Sequence, residues 1–162
     1  MTRFLQFAII PAYDPTAVLN KIIAQLIVLA PELTIVVVDD GSTAPEAANT
    51  FSLLQNLQQV TVLRHEQNQG KGAALKTGFS YLMKQGVDEG TVVTLDADGQ
   101  HLVKDVLNVI RSCDETGAPA LGVREFGRDT PFRSLVGNRV TSFLLVLLFN
   151  IRLGDTQTGL RA

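Results

Sequence analysis

Cysteine occurs once, at position 113, so no disulfide can close within the chain. That scarcity points to a reducing compartment and hence to the cytoplasm. Cys113 sits in an apolar helical pattern, which predicts a buried structural thiol, not a nucleophile. Long hydrophobic runs are missing too. The longest, Val140 to Ile151, falls short of the ~18–20 apolar residues that a membrane-spanning helix needs. Met1 to Phe7 lack the apolar stretch and small-residue cleavage site of a signal peptide. Neither sign of charge dominates: a formal net charge of -2 and a pI near 5.6 argue against binding nucleic acid through bulk charge. Two nucleotide fingerprints are also absent. No Gly-x-Gly-x-x-Gly follows an apolar run, and Gly70-Lys71-Gly72 lacks the earlier glycine and the hydroxyl residue of a P-loop.

The chain does have enough apolar residues, 46%, for one globular core, and no repeat or linker divides residues 1–162. Short β-branched runs alternate with helical patterns. Gln6 to Ile10 reads as a first strand ended by Pro11, and Thr34 to Asp39 as a second that is apolar on both faces. Val60 to Leu63, Thr91 to Leu95 and Ala118 to Val123 read as a third, fourth and fifth. Between them, Val18, Ile22, Leu26 and Leu29 recur at helical spacing, as do Val103, Val106, Leu107 and Ile110. Ala44 to Leu57 and Lys71 to Gln85 supply two more helices, and Pro15 suits the first turn of the first. Alternating strands and helices predict an α/β fold, a three-layer sandwich around a mostly parallel sheet with right-handed crossovers.

Ligands of such sheets bind beyond the carboxyl ends of the strands. Four polar clusters stand there: Ile10-Pro-Ala-Tyr-Asp14, Val38-Asp-Asp-Gly-Ser42, Asn68-Gln-Gly-Lys-Gly72 and Asp96-Ala-Asp-Gly-Gln-His101. One such cluster is ordinary turn chemistry, but four on one rim are a site. Asp96 and Asp98, two apart in an extended segment, project to the same side. Their carboxylates repel unless a cation joins them, and hard oxygen ligands suit Mg²⁺ or Mn²⁺. One of them can instead cap the helix that starts near Leu102, which leaves the other unexplained. A supporting or capping role fits His101 better than metal ligation, and His65 reads as rim structure.

With these clusters in place, the chain resembles the family 2 glycosyltransferases over essentially its whole length. Within them it is similar to the polyprenyl-phosphate branch, and Asp155-Thr-Gln-Thr-Gly-Leu-Arg161 resembles that branch's Asp-x-x-Ser-Gly-Phe-Arg element. The resemblance implies a GT-A, nucleotide-diphospho-sugar transferase fold. It implies a donor site at Pro11, Tyr13, Asp39, Asp40, Gly70, Lys71, Asp96, Ala97 and Arg124, with Pro11, Tyr13 and Asp40 around the base and ribose. It makes Asp98 the principal metal ligand, with Asp96 and Gln100 beside it and Mg²⁺ or Mn²⁺ as the ion. Arg133, Ser134 and Arg161 would hold an acceptor phosphate, and Asp98, Asp155 and Arg133 would carry the catalysis. Two departures stand out. The family's Tyr-Asn-Glu is Tyr13-Asp14-Pro15 here, and the family's domain continues past the point where this chain stops, which implies C-terminal truncation.

No lysine follows Lys104, whereas Arg124, Arg128, Arg133, Arg139, Arg152 and Arg161 do. Arginine is the better fork for phosphate oxygens. Glu125 and Asp129 can account for Arg128 and Arg139 as a solvated face. Val140 to Ile151 reads equally as a core helix or as one half-inserted at a membrane surface. The expected reaction moves a hexose, with inversion, from a UDP- or GDP-linked sugar to polyprenyl phosphate at the cytoplasmic face of a membrane. Transfer to a sugar hydroxyl, with Asp155 as base, and nucleotide binding without turnover remain alternatives. A sugar-nucleotide pyrophosphorylase shares the broad fold, but the Asp96–His101 and Asp155 elements argue against it.

Overall fold

The computed structural model describes residues 5–122 and 159–162. Its elements run β1 (Gln6–Ala12), α1 (Ala17–Leu29), β2 (Thr34–Asp39), α2 (Pro45–Gln55), β3 (Val60–Arg64), α3 (Lys71–Lys84), β4 (Thr91–Thr94) and α4 (Val103–Thr116). The strands form a parallel sheet in the order β3-β2-β1-β4. Strand alternation sorts the side chains between two apolar layers. Ala8, Ile10, Ile35, Val37, Val93 and Leu95 pack with α1, α2 and α4, while Phe7, Ile9, Val36 and Val38 pack with Ala74 and Leu82 of α3. Helices thus cover both faces, and the three-layer α/β sandwich stands. Truncating a fully buried side chain such as Ile9 or Ile35 to alanine should cost about 2–5 kcal/mol.

Two prolines behave differently from their sequence reading. Pro11 lies inside β1, opposite Val38, and does not end it. The Ile9 carbonyl accepts from Leu95 on the β4 side, so the nitrogen of Pro11 faces the same side, where β4 has already ended at Thr94. Its missing N–H therefore costs no ladder bond. Pro15 precedes α1: the N-cap is Thr16, whose hydroxyl accepts from Val18 N. The proline in a first helical turn is Pro45, in α2.

The expected fifth strand, Ala118 to Val123, does not extend the sheet on β4, and Val123 lies outside the described residues. Residues 159–162 take that edge instead. Arg161 bridges antiparallel to Thr94 on one side and to Leu121 on the other. Backbone bonds between Arg161 and Thr94, and between Ala162 and Ala120, hold the ribbon at 2.7–3.1 Å. The sheet is therefore mostly parallel with one antiparallel insertion. Cys113, expected to be buried, is half-buried on α4, since the main apolar layer is made by Val103, Val106, Val109 and Ile110 of that helix. Among the described residues no helix is long and apolar enough to cross a membrane, and Val140 to Ile151 lies outside them.

Candidate functional site

The carboxyl ends of β1 and β2 are tied together by Asp14. Its backbone sits at φ +45°, a region that aspartate tolerates better than most residues. The Asp14 N–H donates to Ser42 Oγ at 2.8 Å, and Asp14 Oδ1 accepts from the N–H groups of Thr43 and Ala44, both at 2.8 Å. Helix α2 has no cap from its own N-cap side chain, so Asp14 caps it from across the rim. Where the family pattern has Asn, this chain has a carboxylate committed to the fold. Tyr13 beside it is 50% exposed, whereas Pro11 is buried.

Alternation then separates the two aspartates at the end of β2. Asp39 shares the parity of Ile35 and Val37 and turns toward α2. Its Oδ1 accepts from Ser42 N at 2.8 Å, and its Oδ2 lies 3.3 Å from Arg64 Nε. With Ser42, Phe51 and Arg64 it walls a cleft of about 270 Å³. Asp40 turns the other way, toward α3, and is 3% exposed. Its Oδ1 accepts from His65 Nδ1 at 2.7 Å and from Gln69 N at 2.9 Å, and its Oδ2 accepts from Gly70 N at 2.7 Å. His65 Nε2 meets Thr77 Oγ1 of α3 at 2.9 Å. Burial pushes the Asp40 carboxyl up, but the bonds from Gln69, His65 and Gly70 outweigh it and hold the pKa below the usual value. Three of about four lone-pair positions are thus in use, leaving room for one more donor at most. Gly41 allows this closeness: a Cβ there would lie within 2.6 Å of Gln67 Cα.

Asp96 shares the parity of Thr94 and faces α3. Its Oδ1 is ion-paired with Lys71 Nζ from the first residue of α3, and its Oδ2 lies 3.8 Å from His101 Nε2. The neighbouring His101 imidazole is the largest influence on the carboxyl; with the Lys71 contact it outweighs burial and brings the pKa down to about 2. Gly159 lies against this carboxylate, and a Cβ at that position would overlap it. Asp98 is not extended as the sequence reading had it. It lies in a turn, and its Oδ1 accepts from Gln100 N at 3.0 Å. The turn rests on α1, where a Cβ on Gly99 would meet Val18 Cγ1 at 2.7 Å. Neither carboxylate caps α4, whose N-cap is Leu102 without a side-chain bond.

Asp96 and Asp98 offer hard oxygen donors, and an ammonium already sits on the first. Asp98 Oδ2 meets no hydrogen-bond donor among the described residues. No group of three or more His, Cys, Asp or Glu stands together among them. The donor set therefore suits an ion that takes few protein ligands and keeps water and phosphate oxygens, as Mg²⁺ and Mn²⁺ do. Gln100 is exposed beside the pair, and Ala97 packs half-buried against the core.

The rim brings Tyr13, Asp39, Asp40, Gly70, Lys71, Asp96 and Asp98 to one end of the sheet. A groove of about 740 Å³ continues from Gln100 and His101 along Lys104 and Asn108 to Leu121 and Leu160. Arg161 is exposed on the neighbouring ribbon. Arg124, Arg133, Ser134 and Asp155 lie outside the described residues. Sequence reasoning gave no role to Arg64 or Thr77, treated His65 as mere rim, and missed Gly159 as the residue that makes space for Asp96.

The family model described as glycosyl transferase family 2 matches residues 7–159. A UDP-N-acetylglucosamine–dolichyl-phosphate N-acetylglucosaminyltransferase of Methanococcus voltae is 31% identical over 184 residues, covering 100% of this chain and 70% of that protein. A polyprenol monophosphomannose synthase of Mycolicibacterium smegmatis is 29% identical over 159 residues, covering 95% of this chain and 59% of its own length. Among solved structures, a mannosyltransferase from Pyrobaculum calidifontis in complex with GDP-Man and Mn²⁺ superposes with a TM-score of 0.61 at 19% identity, over 80% of this chain and 38% of that one.

Proposed function

The chain belongs to glycosyl transferase family 2, with a fold of the GT-A type, and from that membership we propose that it moves a hexose, with inversion, from a nucleotide diphosphate sugar to a polyprenyl phosphate. Residues 1–162 act as one catalytic unit in this reading. The observation that carries it is the Asp96 carboxylate, fixed at the end of β4 between Lys71 and His101 and under Gly159. Dolichyl phosphate and polyprenol in the names of the two relatives support the acceptor class.

Asp96 and Asp98, with Gln100 beside them, would hold Mg²⁺ or Mn²⁺, which when bound supplies Lewis-acid neutralisation of the departing diphosphate. Lys71, at the start of a helix with no acidic residue in its first turn, adds positive charge on the same side. Tyr13 presents an exposed ring for the base, and Asp39 and Asp40 offer their remaining lone pairs to base and ribose. Arg124 supports the donor diphosphate. The sugar carbon passes through an oxocarbenium-like state and is attacked from the opposite face. A phosphomonoester acceptor, with a second pKa of about 6, is already anionic at neutral pH and needs cations more than a base. Arg133 and Arg161 fill that role, Ser134 adds a hydroxyl donor, and the groove beyond His101 gives the acceptor its approach.

The test is transfer of labelled sugar from UDP- and GDP-hexoses to a short-chain polyprenyl phosphate, compared with soluble saccharides. Arg133→Ala should lower transfer about tenfold or more, the worth of a charge-assisted contact, while Asp155→Asn changes rate without a new pH dependence. Transfer to a saccharide alone, lost in Asp155→Asn and spared in Arg133→Ala, would establish a sugar-hydroxyl acceptor instead.

A further inference from the structure

We propose that the Lys71 ammonium is a resident counter-cation of Asp96 that gives way to a divalent cation when a nucleoside diphosphate binds, moving from the carboxylate onto the diphosphate. This rests on the donor-site reading above and assigns Lys71 a positioning role within it.

The two partners differ in freedom. Asp96 is 29% exposed, braced by His101 on its other oxygen and covered by Gly159. Lys71 is 51% exposed on a flexible four-carbon stem. Its backbone origin, however, is fixed, because the preceding Gly70 N–H is bonded to the buried Asp40 carboxylate at 2.7 Å. The ammonium can therefore swing about a fixed base while the carboxylate stays in place. Asp98 stands two residues further on, in a turn that rests on α1, with its Oδ1 bonded to Gln100 N.

Charge decides when the swing occurs. The ammonium neutralises the Asp96 carboxylate, so a lone divalent cation can enter only by facing the ammonium across that carboxylate. The two cations repel, so metal alone is held weakly. A diphosphate brings anionic oxygens that accept the ammonium, and the helix start at Lys71 favours the same anion. Metal and nucleotide then help each other bind, and by linkage the gain is the same in both directions. A permanent Lys71–Asp96 pair would give no such coupling through Lys71.

The measurement is Mn²⁺ binding to the 162-residue chain, read from the free-Mn²⁺ electron paramagnetic resonance signal, without nucleotide and with saturating GDP or UDP. Lys71→Met should tighten Mn²⁺ binding without nucleotide about fivefold, the upper worth of a half-exposed ion pair. It should also shrink the nucleotide-induced gain in Mn²⁺ affinity by about tenfold, within the usual range of site-to-site coupling. Lys71→Arg keeps a cation and should stay within about twofold of wild type without nucleotide. Circular dichroism verifies that each variant is folded. Unchanged or weaker Mn²⁺ binding by folded Lys71→Met, with wild type binding Mn²⁺ and nucleotide together, overturns the exchange and leaves the donor site standing. Wild type that binds Mn²⁺ neither alone nor with nucleotide overturns both.

Discussion

Asp39 and Asp40 are neighbours with the same side chain, yet one turns to the α2 side and bonds Ser42, and the other to the α3 side, where His65 links it to Thr77. Asp40 is the more committed of the two. Replacing it with Asn leaves one accepting oxygen and sets an amide NH₂ against backbone donors, so Asp40→Asn should lose roughly 2–3 kcal/mol in urea unfolding at pH 7. Its pH dependence has a definite sign. A carboxyl whose folded pKa is depressed contributes stability that is fully present above the unfolded value, about 3.9, and is lost as the pH falls through the folded value. The gap between wild type and Asp40→Asn should therefore narrow below about pH 4, and a constant gap down to pH 2 would contradict the assignment. The sequence reading put both aspartates in one donor site, although strand alternation sends consecutive side chains to opposite faces. The partner of Asp40 was not legible in the sequence. His65 reaches it because β2 and β3 pair with Asp39 opposite Arg64, a register that no local pattern encodes.

At the scale of elements, α2 depends on a cap from another loop. Asp14→Ala removes the acceptor of the Thr43 and Ala44 N–H groups and should cost about 1 kcal/mol by chemical denaturation, as loss of an N-cap does. The ribbon at 159–162 makes a different demand. Gly159→Ala forces a methyl group onto the Asp96 carboxylate, so metal-dependent nucleotide binding should fall sharply in calorimetry. Asp96→Ala in the same background relieves the overlap, so a Gly159→Ala stability loss that persists there would show the effect to be one of the ribbon's backbone instead. The strands and helices up to α4 were readable from β-branched runs and helical spacing, within a few residues at their ends. Pro11 was misread because its effect depends on where β4 stops. Ala118–Val123 was read as a strand, whereas its described part makes an isolated bridge at Leu121 to Arg161, distant in sequence, which itself takes the edge of β4.

At the scale of the molecule, parallel strands deliver four loops to one rim, and the Asp96 carboxylate stands where β4 runs out against the start of α3. That the candidate site falls on this rim was an expectation from the strand–helix alternation; that Lys71 and Gly159 converge on Asp96 required the tertiary structure. The claim on which the rest depends is that this rim binds a nucleoside diphosphate together with a divalent cation. Calorimetric titration of UDP and of GDP into the 162-residue chain, with and without Mn²⁺, and again in Asp98→Asn, measures it directly. At least one nucleotide should bind in the presence of Mn²⁺, with that binding lost both on chelation and in the folded Asp98→Asn variant. Binding of equal strength with and without the metal, or in Asp98→Asn as in wild type, would contradict it.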